Sequence, residues 1–507
     1  MSPRLRPPIR RAGFKETARF ALFLAVAMVA PRARAQSLSP ERLPPPFAPP
    51  AYQTEFPVDK PATQKSPSAP CRIDMSTALA LVAGQNPQVG FARWRIREAY
   101  AKLEAARVLW LPAIQAGASY HHNEGNLQDS GGAILDVNRS SLQAGLGAGA
   151  VGAGTTTQPG LFAQFHLVDA IFQPKIAERT AWAWEHERDA VLNDQLLEAA
   201  IAYQELLRAY QLRAVAAETL QRTQRLAVVT TNFAAAGEGA QADADRSQAE
   251  VALRRNDAAR SEEAVAVASA RLAQVISLDS AAPVVPVEDN VAAIDLVSGE
   301  RSSQDILAVA LVNRPELKQS HDLVEAACER LRREKYAPLV PSVLLGASYG
   351  GFGGGVGDTV ADFNHRADFD AIALWQVRSL GWGEIAARDS AVARLEQERL
   401  RQVQLLDQVA REVAEADAKV RTRRGRVAVA QTGTESARAS LQRNFDRIQQ
   451  GQGLPIEVLQ AIQALDATER DWVNAIVDYN VAQFQLQRAI GWPIQSPQDN
   501  STANCSN

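Results

Sequence analysis

The chain has 507 residues, enough for two or three ordinary domains or one elongated repeat protein. Its 54 basic and 57 acidic residues are not gathered into runs beyond the N-terminus, which argues against nucleic acid as a partner. Cys71, Cys328 and Cys505 are odd in number and include no Cys-x-x-Cys, so they form neither a disulfide framework nor a zinc site; a Cys71–Cys505 bridge between the mature termini is left open.

In chain order, Arg4, Arg6, Arg10, Arg11, Lys15 and Arg19 precede a short apolar run, Phe20 to Ala30, and Ala33-Arg34-Ala35 supplies a small-x-small cleavage pattern. Residues 1–35 are therefore predicted to be a signal peptide rather than an anchor, since spanning a bilayer takes roughly 20 apolar residues. Its removal leaves 46 basic against 56 acidic residues, a net −10. Residues 36–71 are a Pro-rich lead-in (Pro44-Pro45-Pro46, Pro49-Pro50), and residues 494–507 are a polar tail. No later stretch is long and apolar enough to be a spanning helix, so any membrane part must be a β-barrel.

The rest of the chain is written twice. Asn86-Pro87-Gln88-Val89 recurs as Arg314-Pro315-Glu316-Leu317, and Gly117-Ala118-Ser119-Tyr120 recurs as Gly346-Ala347-Ser348-Tyr349. Asn232-Phe233 with Gly237-x-Gly239 recurs as Asn444-Phe445 with Gly451-x-Gly453. The expected repeats span residues 72–285 and 286–493. Each opens with a helix carrying Pro in its first turn, where the missing N–H costs nothing. Each continues with an alternating strand: Ile114, Ala116, Ala118 and Tyr120 share one face, and Val343, Leu345, Ala347 and Tyr349 share the other copy's. A Gly-rich loop (Gly350 to Gly357 in copy two) is expected next. The second strands carry Leu161, Ala163, Phe165 and Leu167, or Phe369, Ala371, Ala373, Trp375 and Val377, with aromatics near their ends as at a membrane interface.

Very long helices follow, Lys175 to about Phe233 and Glu384 to Gln450. In the latter, Val392, Leu406, Val413, Val420 and Val427 keep one heptad frame, and Leu395, Val409, Ala416 and Ala430 the other. Such a helix is about 100 Å long. Each turns at glycines and returns for about forty residues, a coiled-coil-scale length. Four strands cannot close a barrel, for which about eight are needed, so membrane strands require a dimer of eight or a trimer of twelve.

In the order of these elements, in Asn313-Arg314-Pro315-Glu316-Leu317, and in the closing Tyr479-Asn480-x-Ala482-Gln483…Ala489-x-Gly491-Trp492, the chain resembles the TolC-like family of outer-membrane efflux proteins. The resemblance implies a mainly α fold with a membrane β-barrel portion. It has two tandem helix–strand–strand–helix–helix repeats, long coiled-coil-like helices forming a periplasmic tunnel, and four strands per chain given to a shared trimeric barrel. It further implies a homotrimer in the cell outer membrane that serves a tripartite efflux pump or type I secretion system, with a periplasmic adaptor (membrane-fusion) protein, an inner-membrane transporter and outer-membrane lipid as partners.

By that resemblance the turns at Ala236 to Asp243 and Asp446 to Glu457 form the site. Gly237, Gly239, Gly451, Gly453, Leu454 and Pro455 are the candidates for adaptor docking. Asp243, Asp245, Asp446, Arg447 and Glu457 are the candidate gate charges. Copy one has Ala240 where copy two has Leu454, so the two tips are not expected to be equivalent.

No enzyme is expected, and no cofactor or metal. Gly147-x-Gly149-x-x-Gly152 with Asp169 matches a dinucleotide fingerprint only in letters, since Thr155-Thr156-Thr157-Gln158-Pro159 follows instead of a helix. His121-His122 has no further ligand at useful spacing, and no Ser–His–Asp grouping stands out. The rival reading is an exported periplasmic coiled-coil scaffold or adaptor without its own pore.

Overall fold

A computed structural model of the chain describes residues 71–111, 113–147, 161–278, 283–288, 290–297 and 301–494. All lie in the unit Pro57–Asn507; the other unit, Met1–Phe56, lies outside the described residues, as do the expected signal peptide and polar tail.

The first series of elements is β1 (Cys71–Ile73), α1 (Met75–Gln85), α2 (Pro87–Arg107), β2 (Ala113–Gln128), β3 (Ile134–Gly147), β4 (Leu161–His166), α3 (Leu167–Ala235) and α4 (Gln241–Val275). After β5 (Val284–Pro286), which pairs in parallel with β1, the series repeats. It runs through α5 (Ser303–Asn313), α6 (Pro315–Tyr336), β6 (Ser342–Val356), β7 (Ala361–Leu374), α7 (Trp382–Gln449) and α8 (Pro455–Ala489). Helices α3 and α7 have 69 and 68 residues; α7 matches its expected span, while α3 starts at Leu167, ahead of the expected Lys175, and takes in a residue the alternation had placed in a strand. Among the described residues no helix is long and apolar enough to cross a membrane.

The sheet corrects one detail of the strand reading. Copy one does not run through a single loop from its first strand to its second; β2 turns at residues 129–133 and returns as β3. The turn is made by Asp129, whose carboxylate accepts from the backbone N–H of Gly131 and Ala133. Strands β3 and β4 then occupy one strand position. Gln115 pairs with Gly147 and Ile114 with Leu161 on one side, while Tyr349 pairs with Leu146 and Ala347 with Leu161 on the other. The order is thus β2, β3/β4, β6, β7, all antiparallel, with four positions as expected and two open edges, β2 and β7. The fingerprint residues Gly149 and Gly152 lie outside the described residues, and Asp169 pairs with Arg333 at 2.6 Å.

Register sorts the side chains by period two. One face carries Ala118, Tyr120, Leu345, Ala347, Tyr349, Phe369 and Ala371. The other carries Ser119, Gln143, Ser348, Arg366, Asp368 and Asp370, of which the last three are half-buried in the curl of the sheet while their odd-numbered neighbours are exposed. The side chains of residues 161–165, expected to alternate, lie outside the described residues. The segment 350–356 is strand, not loop: the Phe363 ring covers Gly351 and Gly353, filling the space their absent side chains leave. At the centre Gly145 faces Gly350, and a Cβ on Gly145 would come within 2.6 Å of the Tyr349 carbonyl oxygen, so only glycine permits this strand approach.

Below the sheet the helices form an arc. Helix α2 lies on α3, α3 on α6, and α6 on α7, which leaves α2 and α7 as its edges. This explains a departure in the heptad seam. Val409, Val413, Ala416 and Val420 are buried, but Val392 and Leu406 are exposed. The junction of β7 with α7 is unusual: Ser379, Leu380 and Gly381 all have positive φ (49°, 57° and 93°). For the two non-glycine residues this costs roughly 1–2 kcal/mol each. Arg378 offsets it by bonding Glu384 at 2.8 Å and Glu334 at 3.0 Å, and Glu384 is held below the usual carboxylate pKa by that guanidinium.

Two homologous locks hold the middle of each repeat. Asn86 caps α2 through its side-chain oxygen, while its Nδ2 donates to Gln195 of α3 at 2.8 Å and to the Val275 carbonyl at 3.2 Å. In copy two the buried Arg314 takes the same place. Its Nε donates to the Ala489 carbonyl at 2.8 Å, and its guanidinium pairs with Glu412 of α7 at 2.5 Å. Arg488 extends this cluster to Glu316 at 2.7 Å and Asp194 at 2.6 Å, tying both repeats together. Burial opposes ionisation of Glu412, but Gln408, Arg314 and Arg488 outweigh it and lower its pKa. The closing Tyr479-Asn480-x-Ala482-Gln483 stretch has its own task. Asn480 Oδ1 accepts from Ile294 N–H, Gln483 Oε1 accepts from Val297 N–H, and Tyr479 donates to Asp295, so α8 clasps the segment linking the repeats.

Gly491 ends α8 with φ +78°, and a Cβ there would lie 2.8 Å from the Arg314 nitrogen; copy one carries Ser277 at φ +57° instead. Gly491→Ala is expected to lower stability by about 1–2 kcal/mol or more and Ser277→Gly to raise it by about 0.5–1 kcal/mol, read by urea unfolding followed at the helical circular-dichroism band. Because the folded pKa of Glu412 is lowered, its stabilisation is complete above its ordinary value of 4.5 and is lost as pH falls through the lowered one. Glu412→Gln should flatten the stability profile in that acid limb; an unchanged acid slope would refute the assignment.

Candidate functional site at the helical tip

Both long helices stop in the same way. In copy one the Gly237 N–H donates to the Ala234 carbonyl and the Glu238 N–H to the Phe233 carbonyl; in copy two Gly451 donates to Ile448 and Gln452 to Arg447. The residue in the left-handed conformation is Gly237 (φ 74°) in one and Gly451 (φ 71°) in the other, the usual device for ending a helix with its last carbonyls satisfied. The second glycines do something different. A Cβ on Gly239 would press on Phe233 and one on Gly453 on the Ile448 backbone, both at 3.0 Å, so the chain itself occupies that space. Around Gly237 and Gly451 the space is open.

The return helices start alike. Ala240 and Leu454 sit at the cap in extended conformation, and their carbonyls accept from Asp243 and Glu457, the third residues of α4 and α8. Those carboxylates lie at the positive helix end. Pro455 takes the first helical position. The tips differ where the sequence says they do: Leu454 projects with 62% of its surface exposed, and copy one has only Ala240 there.

The five candidate charges do not meet in one cluster within the chain. Arg447 bridges the second turn to Glu457 at 3.1 Å. Asp446 accepts from Gln442 and Asp245 from Gln241, both at 3.0 Å along their own helices, and Asp243 lies 3.9 Å from Arg246. The two hairpins join beneath them through an apolar core in which Leu226 and Phe233 of α3 meet Leu441, Ile448, Val458 and Ile462 of α7 and α8.

Further along the hairpins lies a belt of buried charge that sequence reasoning missed. Asp466 accepts from Thr219 of α3 at 3.0 Å and from Arg470 at 3.0 Å. Glu469 holds Arg222 of α3 at 2.9 Å and Arg438 of α7 at 3.1 Å. Glu250 of α4 pairs with Arg254 at 2.7 Å and accepts from Gln463 of α8 at 3.1 Å. Burial opposes the charge on Arg222, but Glu469 and Glu218 more than compensate and raise its pKa. All four tip helices are thereby tied, and the only sequence signal is Asp466 and Glu469 between Leu465 and Val473 on an otherwise apolar face. His121 and His122 lie on β2, where His122 contacts the Ser140 hydroxyl at 2.9 Å; among the described residues no group of three ligands could hold a metal.

No family model and no curated protein matches the sequence. Solved structures do. The outer membrane protein VceC of Vibrio cholerae is 18% identical over 82% of this chain and 95% of its own, with a TM-score of 0.67. The CmeC outer membrane channel of Campylobacter jejuni is 14% identical over 89% of this chain and 96% of its own, at 0.69. The open state of the MtrE outer membrane channel of Neisseria gonorrhoeae is 17% identical over 83% and 89%, at 0.65. At these identities the likeness establishes the fold, and it is the TolC-like fold that the sequence led us to expect.

Removing one partner of the belt leaves the other charged and buried. Glu469→Gln is expected to cost about 3–5 kcal/mol in urea unfolding. Glu396→Gln, which breaks the exposed pair with Arg399 on α7, should cost less than about 1 kcal/mol.

Proposed function

We propose that the chain is one subunit of a homotrimeric outer-membrane channel that conducts cargo passively and is not an enzyme. The observation that carries this reading is the four-stranded sheet, apolar on one face, polar on the other and open at both edges, continued by helices about 100 Å long. In lipid the edge N–H and C=O groups need partners, so β7 of one copy must pair with β2 of the next. Twelve strands then surround a polar lumen, and the helical arcs prolong it as a periplasmic tunnel. The channel serves a tripartite efflux pump or a type I secretion system.

The tip docks a periplasmic adaptor (membrane-fusion) protein and, through it, an inner-membrane transporter. The open space at Gly237 and Gly451 and the exposed Leu454 offer the contact, with Gly239, Gly453 and Pro455 fixing the turn. Arg447, Glu457, Asp446, Asp243 and Asp245 line the closed aperture, and adaptor contacts favouring the open state shift the equilibrium. A pore-free periplasmic scaffold is the weaker reading, because it leaves Tyr349, Phe369 and Trp375 facing water.

Full-length mature protein is expected to require detergent for extraction from the outer-membrane fraction, to run as a trimer and to give discrete single-channel steps in planar bilayers. A water-soluble monomer without conductance would remove the channel reading. Arg447→Ala with Glu457→Ala should raise the closed-state conductance several-fold; unchanged conductance would take those two residues out of the gate.

A further inference from the structure

The two edges of the protomer carry matched apolar ridges at one level. Strands β2 and β7 run in opposite directions, so the start of β2 and the end of β7 lie at the same end of the sheet. Immediately before β2, Val108, Leu109 and Leu111 are exposed, Leu111 by 68%. Immediately after β7, Trp375, Val377, Leu380 and Trp382 are exposed, and Leu380 reaches 96%. Leu380 is held outward by the left-handed run Ser379–Gly381, and Arg378 is turned back onto its own helices through Glu334 and Glu384. The ridges continue down the edge helices. Phe91 and Trp94 of α2 are exposed about 20 Å below the junction, where α7 exposes Val392 and Leu400.

We propose that the Leu380–Trp382 knob docks on the Leu109–Leu111 shelf of a second copy of this chain, and that this contact sets the register in which β7 pairs with the neighbouring β2. The inference rests on the channel reading for the existence of neighbouring copies and goes beyond it in naming the surface. A second copy fits better than bulk lipid because both ridges follow the open edges, which hydrogen bonding already brings together. Without such a stop, two strands with alternating faces could slip by two residues without exposing a new face. The strained turn is the local feature that breaks this degeneracy.

The test is oxidative cross-linking of the detergent-extracted full-length protein carrying Leu380→Cys, Leu111→Cys or both. Within one chain the two positions lie on opposite edges, so a bond between them is intermolecular. A ladder of covalent dimers and trimers in the double variant, at yields at least ten-fold above either single variant, is the expected result. Leu380→Asp should in addition lower the temperature at which the trimer dissociates while helical content is kept. If the double variant forms conducting trimers without the ladder, the knob-and-shelf contact is wrong and the channel reading survives; strong quenching of Trp382 by brominated phosphatidylcholine vesicles would then assign the ridge to lipid. If neither trimer nor conductance forms in the unaltered protein, the channel reading itself fails and the inference goes with it.

Discussion

A strand edge is a row of polar groups that water can satisfy and hydrocarbon cannot. In this chain four strand positions leave two such rows, along β2 and β7, and every other large feature is arranged around that fact. Gly145 and Gly350 let adjacent backbones of the curled sheet approach, and the sheet presents polar side chains to the inside of the curl. The helices attached to its lower end take the same arc, with α2 and α7 at the rims, so the rims of the helical part lie directly below the rims of the sheet. In the channel proposed above, closure of one brings about closure of the other.

Within the chain, buried polar contacts link the two repeats alongside several separate apolar clusters. Arg488 holds Asp194 from copy one and Glu316 from copy two; Asp466 and Glu469 of α8 hold Thr219 and Arg222 of α3. Buried pairs of this kind add little net energy when intact and cost much when broken, so they specify alignment more than they add stability. Long antiparallel helices with small side chains could otherwise slide by a turn.

The sequence showed the duplication, the long helices, the turns and the number of strand positions because each has a one-dimensional signature: Pro87 and Pro315 at helix starts, heptads in α7, Gly237 and Gly451 at helix ends. What it hid has no such signature. The strand β3 carries Asn138, Arg139, Ser140 and Ser141, which read as loop because four polar residues in succession break the period-two alternation. Val392 and Leu406 obey the heptad yet are exposed, since the frame says which residues could be buried and not which helix lies at a rim. The pairs Arg222–Glu469 and Arg314–Glu412 join residues far apart in sequence, and no local pattern reports them. At the tip the turn chemistry was legible, while the self-packing of Gly239 and Gly453 emerged only from coordinates.

The interrupted strand has a consequence for how this architecture tolerates change. Gly147 and Leu161 stand on adjacent rungs against one flanking strand, opposite Gln115 and Ile114, while on the other flank the paired residues pass from Tyr349, opposite Leu146, to Ala347, opposite Leu161. The pairing keeps its register across the join, so the number of residues between Gly147 and Leu161 is not what sets it. Doubling the length of a flexible connection costs only about 0.6 kcal/mol in closure entropy. A peptide tag or a binding loop grafted between these two residues is therefore expected to leave the strand pairing unchanged.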